Sequence, residues 1–154
     1  MFLGSHANKV DAKGRLALPT DFRNALNLKS FQGFFCTPSL DGPFLECGGE
    51  DYMEGLKASI AALPPYDPDR QALQRALIGR ARRVSIDNDG RCVLPQPMRA
   101  HAGLEGEALL MGLGDTFQIW RADAAAQQAE DEEERARAAL RRLQNPAAFR
   151  PASG

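Results

Sequence analysis

Histidine and cysteine are scarce in this chain of 154 residues: His6 and His101 are the only imidazoles, and Cys36, Cys47 and Cys92 the only thiols. The thiols are odd in number and none stands in a C-x-x-C pair, which argues against a disulfide framework and for reduced, partly buried cysteines. With so few donors, a metal site is not expected, and no cofactor is implied. Nothing in the chain approaches the roughly 18 consecutive apolar residues that a membrane-crossing helix needs. The opening MFLGSHANKVD lacks the basic flank and apolar stretch of a secretory signal. A cytoplasmic protein without membrane contact is the expectation. P-loop, G-x-S-x-G, metal cluster and Cys–His pairing are missing too, and acidic pairs such as Glu105/Glu107 have no clear partner. The chain is therefore not expected to be an enzyme or to take a small-molecule substrate.

Net positive charge is also wanting. A formal charge of −1 excludes a uniformly basic, nonspecific nucleic-acid binder. Charge is instead segregated along the chain. Residues 80–100 carry five arginines (80, 82, 83, 91, 99) against Asp87 and Asp89, whereas residues 40–55 carry Asp41, Glu46, Glu50, Asp51 and Glu54 with no base. Any electrostatic footprint must be local.

What the chain does have is one phrase written twice. Residues 11–19 read DAKGRLALP and residues 87–95 read DNDGRCVLP, so Asp, Gly, Arg, Leu and Pro recur in the same order. The match continues with Phe22 against Met98, Arg23 against Arg99 and Leu28 against Leu104, then with the aromatic stretches FLEC (44–47) and FQIW (117–120). Self-similarity at a fixed offset marks a duplicated structural unit.

Each copy has the same local grammar. A strand-like stretch, HANKV (6–10) or RRVSI (82–86), runs into Asp-x-x-Gly. That is turn chemistry: Asp accepts from backbone N–H groups ahead, and Gly tolerates positive φ. A hairpin with a longer loop or bulge is expected. In its second strand Leu16, Leu18, Cys92 and Leu94 alternate with Arg15, Ala17, Arg91 and Val93, so the arginines face away from the leucines. Proline ends the strand. Short helices should follow at 21–26, capped by Thr20, and at 97–102, stopped by Gly103. Two more strands complete each copy, FQGFFCTP and PFLEC in the first, EALLMGL and TFQIW in the second. Trp120 and Phe117 have core spacing, and His6 and His101 read as rim residues.

Between the copies two helices are predicted, one from Glu50 to Ala62 and one from the DPD of 67–69 to Ile78. A longer helix over 123–143 is acidic in its middle and basic at its end, with Asp131–Arg135 and Glu133–Arg137 as i,i+4 pairs. One unit of about 45 residues is too small to bury a good core alone. Two copies could interleave into one closed, pseudo-twofold β-barrel without exposed strand edges. The fold class is therefore mainly β with helices (α+β). Its predicted parts are a first repeat at 5–51, a two-helix connector at 52–79, a second repeat at 80–123, a helix at 124–143 and a disordered tail at 144–154.

The phrase D-x-x-G-R…P, continued by a short helix with arginine and a late aromatic strand, resembles the swapped-hairpin barrel of AbrB-type bacterial transcription factors. Two copies at this spacing, with MF-x-G at the start and helices between, resemble the MraZ family, over residues 2 to about 143. The resemblance implies a sequence-specific DNA-binding regulator, usually a repressor of its own division and cell-wall gene cluster. It further implies a homo-oligomeric ring on promoter repeats of double-stranded DNA at the nucleoid. By motif match, Arg15 and Arg91 take the place of the family's Asp-x-x-x-Arg arginines, and Asp11 and Asp87 that of its aspartates.

Guanidinium forks can reach phosphates or guanine edges, while Asp11 and Asp87 can pair with those same arginines and, with Gly14 and Gly90, order the loops. Lys13 and Lys9 would add phosphate contacts that position without specifying. Arg23 and Arg99 rank second among expected DNA contacts, and Arg82 and Arg83 read as an exposed strand face. Asn88-Asp89 in the second loop, against Lys13 in the first, sets the two loops apart, so Arg15 ranks ahead of Arg91. Few bases per chain imply weak binding by one copy, which a ring would raise through avidity. A different reading is an antitoxin-like or scaffold module, docking partners through the charged C-terminal helix, with incidental DNA binding.

Overall fold

Turn chemistry is realised almost identically in the two copies. Asp11 Oδ1 accepts from the amides of Lys13 and Arg15, both at 2.9 Å; Asp87 Oδ1 accepts from those of Asp89 and Arg91 at 2.9 and 3.0 Å. Gly14 and Gly90 close the turns with φ of 81° and 79°. In a computed structural model that describes residues 1–26 and 31–145, these turns head two matching series of elements. The first copy holds β1 (Ser5–Val10), β2 (Arg15–Ala17), α1 (Thr20–Ala25), β3 (Gly33–Pro38) and β4 (Phe44–Gly48). The second holds β5 (Arg82–Ser85), β6 (Arg91–Val93), α4 (Gln96–Ala102), β7 (Gly106–Gly112) and β8 (Phe117–Arg121). Between them lie α2 (Glu50–Ala61) and α3 (Pro68–Leu73), and α5 (Ala122–Leu143) comes last.

The copies interleave, as an α+β fold built from two repeats requires. Two backbone bonds, Gly14 N–H to Asp11 C=O and Asp11 N–H to Arg15 C=O, close the first turn, and Gly90 to Asp87 with Asp87 to Arg91 close the second. Beyond them the arms part and each finds a partner in the other copy: β1 pairs with β7, β3 with β5, and β2 with β6, all antiparallel. The six-stranded sheet has the order β1-β7-β8-β4-β3-β5, and the remaining two strands form a separate ribbon. Exchanging the copies reverses that order and leaves it unchanged, which is pseudo-twofold symmetry. The axis passes through the ribbon, where Leu16 faces Cys92.

Alternation along the strands sends Leu16, Leu18, Cys92 and Leu94 into one shared core with Phe22, Phe34, Met98, Leu110, Phe117 and Ile119. Phe117 is the hub, with ring centroids 5.0, 5.1 and 5.3 Å from those of Phe2, Phe22 and Phe34. Trp120 stacks on Phe44 at 4.2 Å. His6 sits edge-on to Phe22, and His101 bonds the Gly42 carbonyl at 3.0 Å. The cysteines are free and fully buried rather than partly so. Burial pushes the Cys47 thiol well up and that of Cys92 to about 12, so neither is a thiolate nucleophile.

Several local expectations are corrected. Thr20 opens α1 instead of capping it; Pro19 holds the cap position without a side-chain bond, and the Thr20 hydroxyl accepts from Arg23 Nη2 at 3.0 Å. The helix begun by the Asp67 cap reaches Ile78 as expected, but its last turn, Gln74–Ile78, is a π-turn, closed by Gly79 N–H to Gln74 C=O at 2.8 Å. In α5 the Glu133–Arg137 pair forms at 2.7 Å, but Asp131 accepts from Gln127 at 3.2 Å instead of meeting Arg135. The chain divides into two units, Met1–Ala122 and Asp123–Gly154. Leu28 and residues 146–154 of the expected tail lie outside the described residues.

Candidate nucleic-acid interface

The ribbon decides where the repeated arginines point. Because Leu16 and Cys92 are buried, the residues on either side of each must face outward. Arg15 lies opposite Val93 and Ala17 opposite Arg91, and all four are exposed. Arg15 and Arg91 thus emerge on one face of one ribbon as a diagonal pair, on the order of 7–8 Å apart at the backbone. Symmetry makes them a matched set: each begins a ribbon strand, and each follows its own Asp-x-x-Gly turn.

Their electrostatic settings differ. Arg15 Nε donates to Asp11 Oδ2 at 2.6 Å, with both side chains nearly half exposed. The Arg15 amide and guanidinium, in that order, hold the Asp11 carboxyl below its usual range. The ion pair expected for both copies forms in the first only; among the described residues the Arg91 guanidinium has no ion-pair or hydrogen-bond partner. Lys13 and Asp89 occupy equivalent exposed positions with opposite charge. Lys9 is exposed but sits on β1, paired opposite Glu107, and not on the ribbon.

Arg23 and Arg99 do something the linear sequence hides. A Cβ at Gly90 would lie 2.6 Å from Cζ of Arg23, and one at Gly14 would lie 2.8 Å from Nε of Arg99. Each helix arginine therefore packs against the turn of the opposite copy. Arg99 Nε also donates to the Leu94 carbonyl at 3.1 Å, while the Leu94 amide donates to the Gly14 carbonyl at 2.8 Å. At the other end the Leu18 amide reaches the Gly90 carbonyl at 2.9 Å, but Arg23 Nε is buried without a partner. Asn8 adds a brace, donating to the Ala17 carbonyl at 2.7 Å. The one hint of this packing in the sequence was the recurrence of arginine at equivalent places in both copies. Arg82 is exposed on β5, and Arg83 lies over the Phe35 ring at 5.7 Å.

This arrangement is an exposed, twofold-related pair of guanidiniums on a narrow β-ribbon, held by turns that the opposite repeat buttresses. No group of three or more potential metal ligands occurs among the described residues, and no described helix is long and apolar enough to cross a membrane.

Known proteins are similar to this chain in sequence. A family model described as "MraZ protein, putative antitoxin-like" matches residues 1–37 and 77–145, two segments that contain both turns and the whole ribbon. The chain is similar to proteins named transcriptional regulator MraZ from several bacteria. It is 35% identical to that of Methylocella silvestris over 119 residues, 77% of this chain and 73% of the relative. Identity to that of Rickettsia akari is 37% over 121 residues, 79% of this chain and 81% of the relative. For Xanthobacter autotrophicus it is 37% over 119 residues, 77% and 76% of the two chains.

Proposed function

Since this chain belongs to the MraZ family, we propose that it is a sequence-specific DNA-binding transcriptional regulator that reads the major groove with its β2–β6 ribbon. The observation that carries this reading is the emergence of Arg15 and Arg91 on one outward face of that ribbon. A two-stranded ribbon fits the major groove, where arginine binds the O6 and N7 of guanine bidentately. The diagonal pair addresses two points related by the pseudo-twofold axis.

Arg15 is the primary contact. Its guanidinium is oriented by Asp11 yet remains half exposed, and Lys13 beside it supplies a phosphate contact that fixes register. Arg91 has its guanidinium free but lies next to Asp87 and Asp89, which repel phosphate. Lys9, facing Glu107, contributes at long range. Arg23 and Arg99 rank below these because they are half-buried behind the turns. A single copy offers few contacts, so binding is weak and salt-dependent. A ring of copies set against repeated promoter elements restores tight binding by raising effective concentration. The regulated DNA is that upstream of the protein's own gene, in a division and cell-wall cluster, with repression as the outcome and the nucleoid as the place of action.

Fluorescence anisotropy on that upstream duplex, against a shuffled duplex of the same composition, tests the reading. Preference for the upstream duplex that survives a rise in salt supports it. Equal, salt-erased binding to both would give first place to an antitoxin-like or scaffold module.

A further inference from the structure

Arginine is not all that the ribbon turns outward. Two residues past each arginine stands an apolar one, Ala17 in β2 and Val93 in β6, at equivalent places in the repeated phrase. Both are exposed, Val93 to 58%. Of the large hydrophobic side chains exposed among the described residues, Val93 alone lies on the ribbon. The core does not need it, since Leu16, Leu18, Cys92 and Leu94 fill the inward positions. The Leu94 amide donates to the Gly14 carbonyl and the Leu18 amide to the Gly90 carbonyl, which sets the phase of the ladder between the strands. Alternation along that ladder puts Arg15 opposite Val93, and Ala17 opposite Arg91, in non-hydrogen-bonded pairs. In such pairs the backbones approach to about 4.5 Å and the side chains lie closest. The Arg15 stem therefore has a valine beside it, and the Arg91 stem only an alanine.

We propose that Val93 reads the 5-methyl group of a thymine in the base pair next to the guanine that Arg15 contacts. This rests on the ribbon as the reading element and adds a second base to what that element reads. In the major groove thymine offers the O4 acceptor and a methyl group, whereas cytosine offers an amino donor. Valine makes no side-chain hydrogen bond, so the methyl alone gives it a favourable contact. Against cytosine it would cover the amino group and leave that donor unpaired, which costs free energy. Paired backbones about 4.5 Å apart set the two side chains about one base step apart, since successive bases of a strand lie roughly 3.4 Å apart. Branching at Cβ also leaves valine few rotamers, so little freedom is lost when it packs on a base edge. Ala17 presents one methyl close to the backbone and reaches less far. The two ends of the ribbon are thus unequal readers, and Val93 and Lys13 both strengthen the Arg15 end.

The test exchanges single thymines of the upstream duplex for deoxyuridine, which removes the 5-methyl group and keeps every hydrogen-bonding atom. Fluorescence anisotropy of the full chain is measured on each duplex. At one position the exchange is expected to weaken binding about fourfold, the factor that corresponds to burying one methyl-sized group. Replacing single guanines by 7-deazaguanine, which lacks the N7 acceptor, locates the bases that arginine reads. The methyl-sensitive thymine must lie in the base pair next to one of them. Val93→Ser should bind the thymine duplex more weakly and the thymine and uracil duplexes equally. Indifference of the unaltered protein to uracil at every position would overturn the proposal, as would a methyl penalty that Val93→Ser retains in full. If Val93→Ser loses the native circular dichroism spectrum, the two base scans on the unaltered protein decide: a methyl-sensitive thymine remote from every N7-sensitive guanine overturns it. A protein that prefers the upstream duplex but ignores the methyl sinks this proposal and leaves the ribbon reading standing. No preference for that duplex sinks both.

Discussion

Alanine at Gly14 and at Gly90 should have unequal costs, although the two glycines head the same motif. Their backbones are equivalent, with φ of 81° and 79°. The left-handed conformation therefore costs an alanine the same in each, roughly 1–2 kcal/mol. What differs is the neighbour. At Gly14 the new methyl carbon would stand 2.9 Å from the Leu94 carbonyl oxygen, a backbone atom tied into the ribbon, as well as 2.8 Å from Arg99 Nε. At Gly90 its three nearest neighbours are all atoms of the Arg23 guanidinium group, at 2.6–2.8 Å, the far end of a side chain that can swing aside. Overpacking against structure that cannot yield adds about 1–3 kcal/mol. Gly14→Ala should therefore destabilise by about 2–5 kcal/mol and Gly90→Ala by about 1–2 kcal/mol. Urea denaturation followed by circular dichroism measures both, with equal slopes and a lower midpoint for the first variant. Equal costs, or a larger one at Gly90, would refute the reasoning, and a stabilised variant would show that the turn does not need its positive φ.

Phe22→Ala removes a fully buried ring that touches Phe2 and Phe117 and should cost about 3–5 kcal/mol in the same denaturation measurement. Acid should loosen the first turn: the lowered Asp11 carboxyl contributes stability above its unfolded value near 3.8 that is lost as pH falls through the lower folded value. A carboxyl carbon-13 titration of Asp11 should thus give a midpoint below 3.8, and a midpoint at or above that value contradicts the bonded turn. Exchanging charge at the equivalent positions should separate the loops, with Lys13→Asp weakening binding to the upstream duplex and Asp89→Lys strengthening it. For every phosphate that the variant ceases or begins to neutralise, the slope of log affinity against log salt should change by about 0.9.

Local chemistry made much of the fold readable. Asp-x-x-Gly turns, prolines closing short strands, the Asp67 cap and the alternation around Leu16 and Cys92 depend on neighbours in sequence, and the elements appear close to where those residues put them. Partner choice was less accessible. That β1 leaves its own turn to pair with β7, while β2 pairs with β6, follows from burying one core between two copies, each too small alone. The cross-copy packing of Arg23 on Gly90 and Arg99 on Gly14 is a consequence of that interleaving, invisible to any window of neighbouring residues. The outward face of Arg15 and Arg91 was legible from alternation; their diagonal pairing on one ribbon was not.

The most direct test of the ribbon as the reading element is a double variant, Arg15→Ala with Arg91→Ala. Its anisotropy is measured on the upstream and shuffled duplexes beside the unaltered protein. Neither side chain is part of the core, so the variant should keep the native circular dichroism spectrum, with at most a small drop in thermal midpoint from loss of the exposed Asp11–Arg15 pair, while binding both duplexes equally and weakly. A folded double variant that still prefers the upstream duplex would contradict the account and move recognition off the ribbon.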